Sequence, residues 1–213
     1  DFKEYSDDIG FDPVDLSDHP VKLAQEHLDA LKAIVGEEGF SVSDYDRLAV
    51  AYGFTAYDIL RLRHKIIDSV PDVVLYPDTT EQVEKIVAYS TEHDIPLYVY
   101  GGGSSVTRGV EPVKGGISLD MRRRFNKVLS FNEIDQTITV QAGMSGPDLE
   151  KTLQNAPKLF GAKRQYTCGH FPQSFEYSSV GGWTVTRGAG QNSTYYGCLL
   201  YTSPSPRDGL LSR

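Results

Sequence analysis

The feature that most constrains this chain is a short apolar run that ends in three consecutive glycines. Leu97–Tyr100 combines apolar and aromatic residues, Gly101–Gly103 follow it directly, and Ser104 and Ser105 come next. The pattern predicts a short buried strand that stops in bare backbone. Glycines accept positive φ and carry no Cβ, so successive N–H groups can converge on an anion, and the serines add hydroxyl donors. A pyrophosphate suits such a loop, and an ordinary connecting loop is the alternative.

Two common phosphate-binding motifs do not describe this glycine loop. A P-loop requires Gly-Lys followed by Ser or Thr, and no such sequence follows Gly103. A Rossmann fingerprint requires a different glycine spacing and a helix behind it, whereas Glu111 and Pro112 interrupt the chain there. The interpretation of the glycine loop therefore depends on a second motif.

The second motif is the segment from Cys168 to Gly190. It is rich in glycine and hydroxyl residues, yet it contains several large aromatic residues, including Phe175, Tyr177 and Trp183. A flexible linker would lack such aromatics. The composition predicts a segment that is ordered against something flat and polar.

Taken together, three motifs in this order resemble a known flavoprotein family. They are Gly-Gly-Gly-Ser-Ser-Val at 101–106, Gly-His-x-Pro-x-Ser-x-Glu-Tyr-Ser-Ser-Val-Gly-Gly-Trp at 169–183, and Thr-Arg-x-x-Gly at 186–190. The chain resembles the FAD-binding domain of the vanillyl-alcohol oxidase and p-cresol methylhydroxylase (PCMH-type) family. Within that family it is most similar to the alkylglycerone-phosphate synthases, the flavoenzymes of ether-lipid synthesis.

The resemblance implies an α+β fold with a specific organisation. It implies a PCMH-type FAD-binding domain of two α+β subdomains, the second truncated in this chain, preceded by a helical N-terminal region. We assign residues 1–67 to the helical region and residues 68–197 to the incomplete FAD-binding domain. Residues 198–213 resemble a translated transposase sequencing adaptor, so we expect a non-native tail there and exclude it from the fold. The chain starts at Asp1 without a methionine, and we expect its natural N-terminus to be missing.

The family's FAD contacts map onto three runs of this sequence, and the resemblance implies noncovalent FAD because no histidine lies in or beside the glycine loop. The implied cofactor-binding residues are Val99, Tyr100, Gly101, Gly102, Gly103, Ser104, Ser105, Gln173, Ser174, Phe175, Glu176, Tyr177, Ser178, Ser179, Thr186, Arg187, Gly188 and Ala189. Backbone N–H and hydroxyl groups in these runs suit a doubly negative pyrophosphate and the carbonyl edge of a flavin. Val99 stands where the family usually has proline, Ser104 where it has threonine, and Gln173 where it has aspartate.

The resemblance implies an FAD-dependent enzyme, a transferase or an oxidoreductase, that acts on a small-molecule, lipid-derived substrate. The first hypothesis is exchange of an acyl for an alkyl group on acyl-dihydroxyacetone phosphate through a flavin N5 adduct. The second is an FAD-linked oxidase or dehydrogenase of a 2-hydroxy acid such as lactate or glycolate, because one fold hosts several functions. The third is a nonenzymatic flavin-binding protein. The family's catalytic residues come after residue 197, so we name none here, and we expect this chain alone to be inactive and poorly folded or flavin-free.

Composition and charge restrict the kinds of partner and site that the protein can have. The net charge of −8 argues against nucleic acid as the main partner, and 39% hydrophobic residues fit a soluble globular unit. No run of 18 apolar residues is present, so we expect no transmembrane segment. The histidines, at positions 19, 27, 64, 93 and 170, have no ligand spacing, and we expect no metal site. The resemblance allows a homodimer in the full-length form, and a cytoplasmic location in a bacterium or a peroxisomal one in a eukaryote.

Local patterns predict the elements around the motifs. Before the glycine loop they predict a helix after Pro20 that stops at Gly36, helices capped by Ser43 and Thr55, a strand over 70–77, and a helix that opens with a Thr79/Gln82 capping box. After the loop they predict a strand at 117–121, a hairpin around 132–136, and a helix capped by Ser145. In the helix after Thr79 they place Val83, Ile86 and Val87 on one apolar side, and in the second hairpin strand they place Gln141 away from the core. The run Arg122–Arg124 predicts a solvated turn, with phosphate binding as the alternative.

Overall fold

The computed structural model describes residues 14–196, and the predicted non-native tail and the first residues of the chain lie outside this range. The described residues contain both helices and strands, which confirms the α+β class. The elements are α1 Gln25–Val35, a 3-10 turn Glu37–Gly39, β1 Phe40–Ser41, α2 Asp44–Ala49, α3 Ala56–Arg63, β2 Val73–Leu75, α4 Thr80–Glu92, β3 Leu97–Tyr100, β4 Ile117–Asp120, β5 Val128–Asn132, β6 Thr137–Val140, α5 Gly146–Gln154, α6 Ala156–Phe160, α7 Val180–Val185 and α8 Ser193–Tyr196.

The strands form two sheets. The first sheet has the order β1-β2-β4-β3, in which β1 is antiparallel to β2 and the other neighbours are parallel. The second is the β5-β6 hairpin. In the first sheet β3 and β4 run in the same direction, so the glycine loop and Arg122 both emerge at the carboxyl edge. Ligands bind at this edge in open α/β sheets.

Alternation along β2 builds a core on each face of the first sheet. Val73 and Leu75 belong to a cluster with Leu31 of α1 and Ile86 of α4, whereas Val74 packs with Tyr100 on the opposite face. Period-2 alternation puts successive side chains on opposite faces, and here both faces are covered. α1 of the helical N-terminal region therefore packs directly on the sheet that carries the glycine loop.

Predicted N-caps at four helices are confirmed by hydrogen bonds. The side chains of Ser43, Thr55, Thr79 and Ser145 each accept from the backbone N–H three residues later. At α4 the capping box is not reciprocal, because the Gln82 Oε1 accepts from Asp78 N at 2.7 Å instead of from Thr79 N. Thr79 is therefore the N-cap, as predicted, but the prediction of a reciprocal capping box is wrong because Gln82 binds the N–H of Asp78, the residue before Thr79.

Four predicted burial patterns need correction. The strand at 97–100 lies at the sheet edge and not in the centre, and Val99 is 57% exposed. The apolar residues Ile59 and Leu60 predict a buried side for α3, but both are exposed, while Asp58 and Arg61 are buried. Val87 of α4 is exposed beside the buried Ile86. Gln141, expected to face solvent, is buried because its amide accepts from Lys127 N and donates to the Asp78 carbonyl.

Candidate functional site

The glycine loop continues directly from β3 and is tightly packed. Gly102 and Gly103 are buried, and Gly103 adopts φ +70°. Among residues 14–196, no protein acceptor pairs with the backbone N–H groups of Gly102, Gly103, Ser104 or Ser105. Buried N–H groups are almost always paired, so unpaired ones indicate a place for an acceptor outside the protein.

The second loop, from Pro172 to Ser179, is held by internal hydrogen bonds. Ser178 N and Ser178 Oγ both donate to the Ser174 carbonyl, at 2.8 and 2.7 Å. The Trp183 indole N–H then donates to Ser178 Oγ at 2.6 Å. Ser179 Oγ accepts from Gly182 N and caps α7. The loop is thus rigidly attached to the first turn of this helix.

The two loops lie against each other with no room for a side chain between them. A Cβ on Gly102 would lie 1.8 Å from the Tyr177 carbonyl oxygen and 2.6 Å from Ser178 Cα. A Cβ on Gly101 would lie 2.6 Å from Ser179 Oγ. Glycine is required here because the two backbones approach closely. The first two motifs, far apart in sequence, therefore form one site.

A cavity of about 250 Å³ opens where the two loops meet. Its lining comes from both loops, from the start of α5 and from the turn after β4: Phe54, Gly102, Arg122, Asn126, Gly143, Ser145, Asp148, Glu176, Tyr177, Ser178 and Ser179. A larger cavity of about 600 Å³ adjoins it and shares Phe54 and Arg122. The lining of the smaller cavity brings together carbonyl, hydroxyl, carboxylate and guanidinium groups.

The predicted cofactor-binding residues fall into three groups in the structure. Gly102 and Glu176–Ser179 line the smaller cavity. Eight further predicted residues adjoin these in the sequence of the two loops: Tyr100, Gly101, Gly103, Ser104, Ser105, Gln173, Ser174 and Phe175. Val99 lies on the sheet edge, and Thr186–Ala189 follow the far end of α7, outside the cavity lining. The assignment of each residue to the cofactor stays a prediction.

Arg122 is the cation of the smaller cavity's lining. Its guanidinium lies 4.6 Å over the Tyr100 ring, and its Nη2 donates to Asp120 Oδ2 at 3.0 Å. Burial lowers the pKa of Arg122, but the hydrogen bond to Asp120, the negative charge of Asp120 and the neighbouring Tyr100 and Tyr76 together outweigh it, and the net pKa is raised. The run Arg122–Arg124 is a turn, as predicted, and Arg123 is exposed. Its side chains also contact the protein, since Arg124 lies 3.9 Å from Asp78 and Arg123 lies over the Tyr76 ring.

The aromatic residues of the second motif pack mainly on the protein itself. Phe175 and Trp183 are stacked, with ring centroids 5.9 Å apart, and Trp183 is buried with Leu149 and Leu153 of α5. These two rings are therefore ordered by packing on the protein, and contact of the segment with a flat polar group stays a prediction. Tyr177 differs, because its ring is exposed and faces Phe54 across 6.4 Å.

His170 is buried in the same motif and packs edge-on against Trp183 at 5.0 Å. Neither ring nitrogen has a hydrogen-bond partner among residues 14–196. Burial lowers the pKa of His170, so the ring is neutral at pH 7. The neutral ring is therefore a packing residue against Trp183 of α7.

Sequence reasoning missed several lining residues. Phe54 precedes the predicted domain, and Gly143, Ser145 and Asp148 belong to a turn and a helix start that the sequence explains as local structure alone. Their contribution depends on how the hairpin returns to the second loop, where Val180 N donates to the Met144 carbonyl at 2.9 Å. This contact joins residues 36 positions apart, and no local pattern specifies it.

Comparison with known proteins now identifies the family. Residues 71–201 match the family described as FAD binding domain. The chain belongs to this family. The match includes the glycine loop and the second motif, and FAD is therefore the cofactor. The unpaired N–H groups of the buried glycines and the hydroxyl-rich second loop fit such a group.

Individual relatives agree with the family. Alkyldihydroxyacetonephosphate synthase of Dictyostelium discoideum is 33% identical over 181 residues, which are 84% of this chain and 28% of the relative. A solved structure of an alkyldihydroxyacetonephosphate synthase superimposes with a TM-score of 0.78 at 31% identity and covers 86% of this chain and 32% of that one. The mitochondrial cytochrome-dependent D-lactate dehydrogenase 1 of Saccharomyces cerevisiae is 28% identical over 190 residues, 88% of this chain and 30% of the relative. The chain thus spans about a third of the length of these relatives.

Within residues 14–196, no helix is both long and apolar enough to cross a membrane. In the same range, no group of three or more histidine, cysteine or acidic residues is arranged to hold a metal ion.

Proposed function

We propose that this chain is the FAD-binding part of a flavoenzyme whose full-length form makes alkyl-dihydroxyacetone phosphate by exchanging an acyl for an alkyl group on acyl-dihydroxyacetone phosphate. The observation that carries the proposal is the contact between Gly102 and the Tyr177–Ser178 backbone, which joins the two motifs around one cavity. The higher identity to alkyldihydroxyacetonephosphate synthase than to D-lactate dehydrogenase supports the transferase over the 2-hydroxy-acid reaction.

In this proposal the protein binds and orients the cofactor, and FAD supplies the electrophilic and redox chemistry. The N–H groups of Gly102 to Ser105 donate to an anionic group, and Arg122 supplies a positive charge in the same cavity. Ligand pockets commonly have volumes of about 300–1,000 Å³. A cavity of about 250 Å³ therefore accepts part of the dinucleotide. The remaining proposed contacts in Gln173–Ser179 and Thr186–Ala189 would hold other parts.

The flavin is held noncovalently in this proposal, because the glycine loop carries no histidine that could form a covalent link. Precipitation of the full-length protein with acid tests this point directly. Flavin that appears in the supernatant supports noncovalent binding, and flavin that stays in the pellet contradicts it.

The reaction is tested with the full-length protein, purified with its flavin and assayed with two substrate classes. We expect incorporation of labelled hexadecanol into alkyl-dihydroxyacetone phosphate from the acyl precursor. We also expect no bleaching of the flavin absorbance by D-lactate or glycolate under anaerobic conditions. Bleaching by these acids without alkyl incorporation would favour the oxidoreductase. Bound flavin that reacts with neither class would favour a nonenzymatic flavin-binding protein, and absence of flavin would refute the FAD site.

The proposal also covers the substrate class, the oligomeric state and the cellular location of the full-length enzyme. A synthase of this kind takes a lipid-derived substrate, functions as a homodimer, and lies in the cytoplasm of a bacterium or the peroxisome of a eukaryote. Size-exclusion chromatography with light scattering tests the dimer, and fluorescence microscopy of the tagged full-length protein in its own host tests the location.

A further inference from the structure

The segment from Tyr52 to Arg61 precedes the part of the chain that matches the FAD-binding family, yet it contacts the glycine loop. Phe54 N donates to the Gly103 carbonyl at 2.9 Å, and the Tyr100 hydroxyl donates to the Tyr52 carbonyl at 3.2 Å. Residues 71–201 make up the matched part. The loop that carries the unpaired N–H groups is therefore supported from outside the family domain.

A third connection is a buried ion pair between Arg61 of α3 and Glu111, which lies further along the segment that begins with the glycine loop and leads from β3 to β4. Arg61 Nη1 donates to Glu111 Oε1 at 3.1 Å, and both residues are almost fully buried. The other Glu111 oxygen accepts from Arg108 Nη2 at 2.6 Å, and Arg108 adopts φ +60° within the same loop. Glu111 thus fixes the return of the loop, and Arg61 fixes Glu111.

Arg61 itself is held in one orientation by its surroundings. Its guanidinium lies 4.5 Å over the Tyr52 ring, donates to Asp68, and lies 3.8 Å from the buried Asp58 Oδ1. Asp58 in turn accepts from the Thr55 hydroxyl at 2.7 Å in the cap of α3. The cap of α3, the Tyr52 ring and the glycine loop are therefore connected through one guanidinium.

The energetics of such a network favour a single arrangement of the loop. Loss of one partner of a buried ion pair leaves an uncompensated charge, which is strongly unfavourable. Without Arg61, Glu111 keeps only Arg108, whose side chain is 47% exposed, and Asp58 loses the cation next to it. The two buried carboxylates then gain solvation if the segment around residues 101–111 moves toward water. Such movement separates the loop from the geometry in which its N–H groups converge, and loss of preorganisation weakens binding.

We propose that Arg61 is a positioning residue of the FAD site: through Glu111 and the Tyr52–Phe54 segment, it holds the glycine loop in its binding conformation. The helical N-terminal region is then a functional part of the cofactor site. This inference rests on the proposed binding of FAD at the glycine loop, and it adds a determinant of affinity that lies outside the family domain.

The test compares Arg61 with a matched buried arginine in the same region. Arg47 of α2 is equally buried and donates to the Pro71 and His19 carbonyls, but it has no bond to the glycine loop. The variants R61M, R61K, R47M and R47K are made in the full-length protein. Each is stripped of flavin and titrated with FAD at 10 °C, where circular dichroism establishes that it is folded, and the Kd is read from quenching of flavin fluorescence.

We expect R61M to raise the Kd for FAD by about tenfold or more, and R61K, which keeps the charge but loses the planar fork, by about threefold. Both Arg47 variants are expected to melt earlier and to keep the native Kd within about twofold. If R61M does not fold, the R61K and R47K pair decides by the same criterion. Equal Kd values for native protein and Arg61 variants would overturn the inference alone, whereas a native protein that binds no FAD would overturn the proposed FAD site itself.

Discussion

Replacement of Gly102 by alanine provides the most direct test of the contact between the two loops. The added Cβ would lie 1.8 Å from the Tyr177 carbonyl oxygen, and real Cβ contacts essentially never fall below 3.0 Å. The two backbones would have to separate by about 1.2 Å. Overpacking of this kind costs about 1–3 kcal/mol and sometimes more, even where the neighbours are flexible side chains. Here the neighbours are backbone atoms, so we expect the upper part of that range.

The separation should also affect the cofactor, since Gly102, Tyr177 and Ser178 all line the smaller cavity. We expect G102A to raise the Kd for FAD at least tenfold, which corresponds to about 1.4 kcal/mol. We further expect it to lower the temperature at which the full-length protein releases its flavin, followed as a rise in flavin fluorescence on heating.

Gly109 provides the matched control within the same loop. A Cβ there would meet only Thr107 Oγ1, at 3.9 Å, and its φ is not positive. G109A should therefore keep the native Kd, and its stability should be unchanged or improved by about 0.4–1 kcal/mol because alanine restricts the unfolded chain. If G102A released flavin at the same temperature and bound FAD as tightly as G109A, the two loops would not be in contact and the reasoning would be refuted.

Three further outcomes are expected from single changes in the full-length protein. S179A removes the N-cap of α7, so it should lower the free energy of unfolding by about 1 kcal/mol and also weaken FAD binding. S43A removes a similar cap outside the cavity lining, so it should lower the free energy of unfolding by a similar amount and leave the Kd for FAD unchanged. Calorimetry measures the stability and flavin titration measures the Kd. Burial lowers the pKa of His170, so below pH 6.5 the unfolded chain binds a proton that the folded state excludes. The free energy of unfolding of the native protein should therefore fall relative to that of H170F from pH 7 to pH 5, by up to about 1.4 kcal/mol per pH unit. Urea titrations measure this difference, and parallel pH profiles for the two proteins would contradict the burial of a neutral His170. R122Q should raise the Kd for FAD and reduce its dependence on NaCl, and an unaltered salt dependence would show that Arg122 does not face the anionic part of the ligand.

The elements that the sequence predicted correctly are those governed by short-range physics. An N-cap depends on one hydroxyl and the N–H three residues later, so Ser43, Thr55, Thr79 and Ser145 were each identifiable from their neighbours alone. Gly36 likewise ends α1, with a φ of +77°. Such features carry their structural information within one turn of chain.

The placement of the strands required information that local patterns lack. β3 follows β2 in the chain, but β4 lies between them in the sheet, so the strand with the glycine loop is at the edge. β1 is only two residues long and pairs with β2 across more than 30 residues of sequence. Neither arrangement follows from hydrophobic periodicity, because alternation specifies a face and not a neighbour.

The candidate site likewise combines features that local sequence predicts with features that only the fold determines. The glycine loop and the second motif were each identified from composition and resemblance, but their mutual contact, and the participation of Phe54 and Arg122, emerged only from the fold. A resemblance transfers motifs residue by residue. It does not transfer residues that stand outside the motifs, and these form about half of the cavity wall.

The reversed burial of α3 explains why hydrophobic periodicity failed at one helix that matters for the site. Ile59 and Leu60 predict an apolar buried face, but a helix can equally bury charges when every one of them has a partner. Asp58 and Arg61 are three residues apart, so they lie on the same side of the helix, and that spacing is visible in the sequence. Arg61 is also paired with Glu111, fifty residues away in the sequence. A sequence window centred on α3 alone does not contain this partner, so it cannot predict that the charged side of the helix is the buried one.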